Sequence, residues 1–201
     1  MKASLHLFAL AATLLAGCST QRFVAGYAID PKPPHTTYTD LKPVSDPIPV
    51  ALVFDMHRGP GPFPQATARL APKVARIIEE SKLFSSIAKV PSEQTARLQI
   101  TLTEMASVSG SEMKNLPAGL TSGLPGSEAA VLYLFSATYQ PAGKPPFSRV
   151  YHQAIHVLNS KSGWLQNDQP LTASQATDAM IEALTLTFLK DLQNNGTLGV
   201  R

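Results

Sequence analysis

The residues able to do chemistry are few in this 201-residue chain: five histidines, a single cysteine and fourteen acidic side chains. His152 and His156 lie four apart in "SRVYHQAIHVLNS", which reads as a strand. There they share a face but stand about 13 Å apart, too far to hold one metal ion, so they read as solvated or partner-facing. Asp55 and His57 flank the end of the apolar run "IPVALVFDM", a place where sites occur, but ordinary turn polarity accounts for them. The stretch Gly119-Leu120-Thr121-Ser122-Gly123 has the spacing of a nucleophile elbow. Pro117 and Pro125 deny it the preceding strand and following helix that such an elbow requires. "GLPGSE" lacks the lysine of a phosphate-binding loop. No catalytic constellation emerges, and the expectation is a protein that is not an enzyme, with no metal and no cofactor. Cys18 remains. Its thiolate is the strongest nucleophile the chain owns, and it stands at the end of an apolar run.

That run explains it. The chain opens "MKASLHLFALAATLLAGC", with Lys2 as a short positive region and a mostly apolar stretch from Leu5 to Leu15. Roughly eleven residues cannot cross a hydrocarbon core of about 30 Å, but they suit the central region of a secretory signal. Leu15-Ala16-Gly17-Cys18 resembles the bacterial lipobox, and charge, apolar run and all four box positions agree. The resemblance implies removal of residues 1–17 as a signal peptide and a covalent diacylglyceryl (palmitate-type) lipid on the sulfur of Cys18. Two or three acyl chains, at about 0.8 kcal/mol per buried methylene, anchor permanently. Ser19 after the cysteine implies, by the sorting rule the lipobox brings with it, transfer to the outer membrane with the domain facing the periplasm. Ordinary secretion with an incidental Cys18 is the alternative.

Loss of residues 1–17 leaves 184 of the 201 residues, enough for one domain and a linker. The formal charge of +3 becomes +2 without Lys2, too weak a bias to argue for nucleic acid. With Cys18 lipidated no disulfide is available, so the exported domain must be stable through its core alone.

From residue 18 to about 48 the chain carries five prolines between Pro31 and Pro47, mixed with Thr, Ser and Asp, and reads as a semi-rigid tether. A rival reading docks Phe23 to Ile29 as an edge strand. The domain spans 49–195, with 196–201 as a tail. "IPVALVFDM" is apolar on both faces and suits a central strand covered on both sides. Leu70, Val74, Ile77 and Ile78 mark one face of a helix, which the cost of an interior proline places with Pro72 in its first turn, beginning near Thr67 to Ala71. "SSIAKV" is a short strand candidate, and Leu98, Ile100 and Leu102 alternate with Gln99, Thr101 and Thr103 as a half-exposed strand. "AAVLYLFSATYQ" and "SRVYHQAIHVLNS" form a hairpin across "PAGKPPF". Thr172 with Gln175 is a capping box for a last helix, whose buried stripe is Met180, Ile181, Leu184 and Phe188, ending at Asn194-Asn195-Gly196. The order β-α-β-β-β-β-α predicts an α+β two-layer sandwich: a mixed or antiparallel sheet of four to five strands with two helices on one face. The first strand–helix–strand unit is expected to be a right-handed crossover.

A lipobox, a Pro-rich tether and this order, with "ESKLFSSIAKV" leading into "ARLQITLTEM", resemble small periplasmic α+β lipoproteins. These include penicillin-binding-protein activator lipoproteins and auxiliary lipoproteins of lipid-transport ABC systems. The likeness is architectural, over roughly residues 48–195, and assigns no functional residue. The expected function is a non-enzymatic accessory or assembly factor that binds an envelope protein, the alternative being a lipid-binding or lipid-transport accessory with a phospholipid as ligand. Between Ser109 and Ala129 some twenty residues separate two strands, far more than a hairpin needs. Leu116, Leu120 and Leu124 recur there every fourth residue and are candidates to contact a partner or lipid, or else to cover the sheet. Trp164, the only tryptophan, is a further contact candidate or a cap over a helix end.

Overall fold

The computed structural model describes residues 24–30, 36–88, 95–110, 112, 127–159 and 171–198. Six strands and two α-helices follow one another as β1 (Val24–Asp30), β2 (Val50–Arg58), β3 (Gly61–Pro62), α1 (Pro64–Ser81), β4 (Ala96–Ser109), β5 (Ser127–Gln140), β6 (Phe147–Asn159) and α2 (Ala173–Asn194). They form one sheet in the order β1-β6-β5-β4-β2-β3. β2 and β4 run parallel, from Val50 opposite Ala96 to Arg58 opposite Glu104, with α1 between them in the chain. The other pairings are antiparallel, so the sheet is mixed and the fold is α+β, as the element order predicts.

Period-two alternation puts one side of every long strand into a single core. Leu98, Ile100 and Leu102 of β4 are wholly buried and pair across β5 with Tyr139, Ala137 and Phe135. Phe54 and Met56 of β2 and Phe147 and Ile155 of β6 join the same cluster. Both helices supply its other half: Leu70, Val74, Ile77 and Ile78 from α1, and Met180, Ile181, Leu184 and Phe188 from α2. Thr172 caps α2 as expected, its hydroxyl accepting from Gln175 N at 3.2 Å while the Gln175 side chain accepts from Thr172 N at 2.8 Å. On the opposite side of the sheet Arg97 and Gln99 are exposed.

Five expectations change. The sheet has six strands rather than four or five, because β1 and the two-residue β3 extend its two edges. β2 is not central: it lies one position from the edge, and its outer rim is met by the chain after α1, where Val50 N donates to Ser86 O at 3.0 Å. The described part of "SSIAKV", residues 85–88, contributes a bridge between Ile87 and Val50 rather than a strand.

Pro72 is the fourth change. α1 starts at Pro64, eight residues before it, so the proline sits inside the helix. Pro64 near the N-terminus has the fixed φ a helix start favours, and burial of Ala66 and Leu70 holds the added turns. Pro72 itself is exposed, which leaves the carbonyl it cannot satisfy facing water. An interior proline still costs about 3 kcal/mol against alanine, part of it returned through a stiffer unfolded chain. Pro72→Ala is therefore expected to stabilise the domain by about 1–2 kcal/mol, read as a higher urea midpoint at unchanged slope.

The segment assigned above to a tether is largely bound to the domain. Val24–Asp30 pairs antiparallel with β6, the edge-strand alternative, and Tyr27 N donates to Leu171 O at 3.0 Å. Further on, Tyr38, Leu41 and Val44 pack on the core. Proline-rich backbone makes few hydrogen bonds of its own, so α2 side chains hold it instead. Gln193 brackets Lys42, accepting from its N–H at 3.0 Å and donating to its carbonyl at 2.6 Å. Lys190 donates to the Asp40 carbonyl, and the Thr36 and Thr187 hydroxyls meet at 3.2 Å.

Candidate functional site

Two places on this frame gather polar side chains from distant parts of the chain. The first is on the side of the sheet away from the helices, where β1, β6 and β5 adjoin. Ala28 of β1 pairs with His156 of β6, which pairs with Ala130 of β5, and these three and Asp30 are buried. His156 has no exposed surface. Ser127, at the start of β5, places its Oγ 2.8 Å from His156 Nδ1. Asp30 Oδ2 lies 3.7 Å from Nε2, close enough for electrostatic attraction but beyond hydrogen-bond distance. The tautomer that suits both neighbours carries its proton on Nε2, toward the carboxylate, with Ser127 donating to Nδ1. Burial pushes the imidazole pKa below its ordinary value, and the opposing pull of Asp30 is the smaller effect. The cluster thus links three strands through one neutral histidine.

The residue types Ser, His and Asp invite comparison with a hydrolytic triad. Here serine meets Nδ1 and the carboxylate faces Nε2, the reverse of the triad's ring orientation. No spacing in the sequence announces the cluster, because strand order alone brings Asp30, Ser127 and His156 together. His152 is exposed, as expected of a solvated or partner-facing side chain, whereas His156 is buried, because β1, which the proline-rich sequence presents as tether, lies beside it.

The second place lies between the helices. Tyr38, Lys73, Arg76, Ile77, Glu80, Asp178, Ile181 and Glu182 line a shallow cleft. Asp178 of α2 meets Lys73 of α1 in a close ion pair and Arg69 at 3.7 Å. Burial, and then a hydrogen bond with Glu80, push the Tyr38 phenol well above its usual pKa. These contacts tie the 36–44 segment and the two helices to each other, and they leave the cleft lined by paired charges. Further along α2, Tyr151 donates to Asp191 at 2.7 Å, which raises its phenol pKa together with the larger effect of burial.

The remaining sequence candidates are not brought together. Asp55 and His57 lie half-buried on β2. Among the described residues no group of three His, Cys, Asp or Glu side chains could hold a metal ion, and no helix is long and apolar enough to cross a membrane. Cys18, Leu116, Leu120, Leu124 and Trp164 lie outside the described residues. The strands that flank the leucine segment are longer than expected, β4 running to Ser109 and β5 beginning at Ser127.

No family model and no curated protein matches the sequence. Among solved structures the chain is similar to the rare lipoprotein B of Shewanella oneidensis, at 9% identity and a TM-score of 0.36, covering 74% of this chain and 93% of that one. It is similar to a minor lipoprotein of Acinetobacter baumannii at 10% identity and a TM-score of 0.37, covering 76% and 97%. A Xanthomonas campestris protein of a domain family of unknown function is similar at 17% identity and a TM-score of 0.35, covering 78% and 86%.

Proposed function

We propose that the protein is an outer-membrane-anchored periplasmic lipoprotein and a non-enzymatic accessory or assembly factor that binds an envelope protein. The observation that carries this reading is the Leu15-Ala16-Gly17-Cys18 box joined, within six residues, to a folded α+β domain whose β1 begins at Val24. The buried cluster supports the absence of enzyme chemistry. A hydrolytic imidazole must reach both nucleophile and leaving group, and one with no exposed surface meets no substrate.

Cys18→Ser is the direct test. The wild-type chain is expected in the membrane fraction with a diacylglyceryl mass on its first residue, and the variant unprocessed or released. Crosslinking in cells should then capture an envelope protein with the wild type and lose it with the variant. Normal processing and membrane fractionation of Cys18→Ser would overturn the anchor, and no envelope protein above background would overturn the accessory role. A second reading, lipid handling, draws on a small apolar cluster of Val108, Ala130, Leu132 and Ala154 on the helix-free side of the sheet. Native mass spectrometry of the purified domain separates the two readings, a co-purifying phospholipid favouring the second.

A further inference from the structure

A lipid on Cys18 constrains more than location. β1 begins six residues later, at Val24, and a trans chain reaches at most about 3.6 Å per residue. The start of β1 therefore lies within roughly 22 Å of the anchored cysteine, whatever path the intervening residues take. The reach of about 90 Å that a thirty-residue extended tether would allow is unavailable, because the chain is already in the sheet.

Strand register shows which end of the domain this short leash holds. Val24 pairs with Asn159, the last residue of β6, and Ser127, the first of β5, pairs with Leu158. Ser109, the last residue of β4, pairs with Ala129. The start of β1, the end of β4, the start of β5 and the end of β6 thus share one end of the sheet. The other end holds the turn from Pro141 to Lys144 between β5 and β6 and the start of β4, where Arg97 pairs with Gln140. β5 has 14 residues and at about 3.3 Å each separates the two ends by roughly 45 Å.

We propose that the end of the sheet bearing Val24, Ser109, Ser127 and Asn159 rests against the phospholipid bilayer, with the β5–β6 turn pointing away from it. This rests on the lipid anchor proposed above. The inverted orientation would lift Val24 about 45 Å from the bilayer, twice what six residues span. The leash alone excludes that inversion, without any attraction between the protein's charges and lipid.

The test uses the full-length acylated protein in phosphatidylethanolamine–phosphatidylglycerol vesicles. Cys18 is blocked by its lipid, so a second cysteine can be labelled selectively with an environment-sensitive fluorophore. Ser109→Cys and Ala142→Cys place the label at exposed positions at the two ends. With brominated phospholipids the label at 109 should lose most of its emission and the label at 142 retain nearly all of it. Equal quenching at both positions, stronger quenching at 142, or none at either would overturn the orientation. Intact mass of the vesicle-bound protein is read first. Absence of the diacylglyceryl adduct sinks anchor and orientation together, whereas the adduct with the wrong quenching pattern sinks the orientation alone.

Discussion

Phe135→Ala is expected to cost about 3–5 kcal/mol, a large part of the roughly 5–15 kcal/mol that holds a domain folded. Phe135 has no exposed surface and sits in β5 between Leu102 of β4 and Tyr151 of β6. Its ring centroid is 6.0 Å from that of Tyr151, with the planes inclined at 59°, a tilted aromatic pair that adds to the transfer energy of burial. Neighbours on three strands and both helices share this core, so the site cannot collapse to fill the vacancy. The measurement is a urea titration, in which the midpoint should fall sharply at near-constant slope. Val150→Thr, on the exposed side of β6 at 54% exposure, is the control and should stay within about 0.5 kcal/mol. A loss under about 1 kcal/mol at Phe135 would mean that β5 does not run through the centre of the core.

The parts of this fold legible in the sequence are those whose signal is local. Leu98, Ile100 and Leu102 alternate because one face of β4 is buried, and the stripes of α1 and α2 repeat for the same reason. Thr172 and Gln175 mark a helix start three residues apart. Where the determinant is distant, the residues mislead. "VAGYAID" has a glycine and no clean alternation, and it becomes a strand only because the edge of β6 is open to it. "TTYTDLK" looks like linker, and Gln193 and Lys190, some 150 residues later, fasten it down. Pro72 points to a later helix start, but the apolar burial of Ala66 and Leu70 outweighs the local cost. The same non-locality hid the Ser127–His156–Asp30 cluster, whose members come together only through the strand order β1-β6-β5.

That cluster yields the second large effect, a dependence of stability on pH. The folded protein holds His156 neutral, with its pKa below the ordinary 6.5 because burial outweighs the carboxylate beside it. The unfolded chain binds a proton near pH 6.5 that the folded state declines, so acid favours unfolding. The contribution is complete above about pH 6.5 and is lost as pH falls from there toward the depressed folded value, with a slope of up to about 1.4 kcal/mol per pH unit for one proton. The groups facing the imidazole are Asp30 from β1 and Ser127 from β5. Urea titrations between pH 7.5 and 5.5 should show the decline in the wild type and a flatter profile in His156→Gln. Hydrogen exchange locates the effect: the nitrogen free to take the proton is Nδ1, which faces Ser127, so acid should first loosen the start of β5 against β6 around Ser127 and Leu158. A slope that survives in His156→Gln would place the titrating group elsewhere and leave the buried imidazole a purely structural residue.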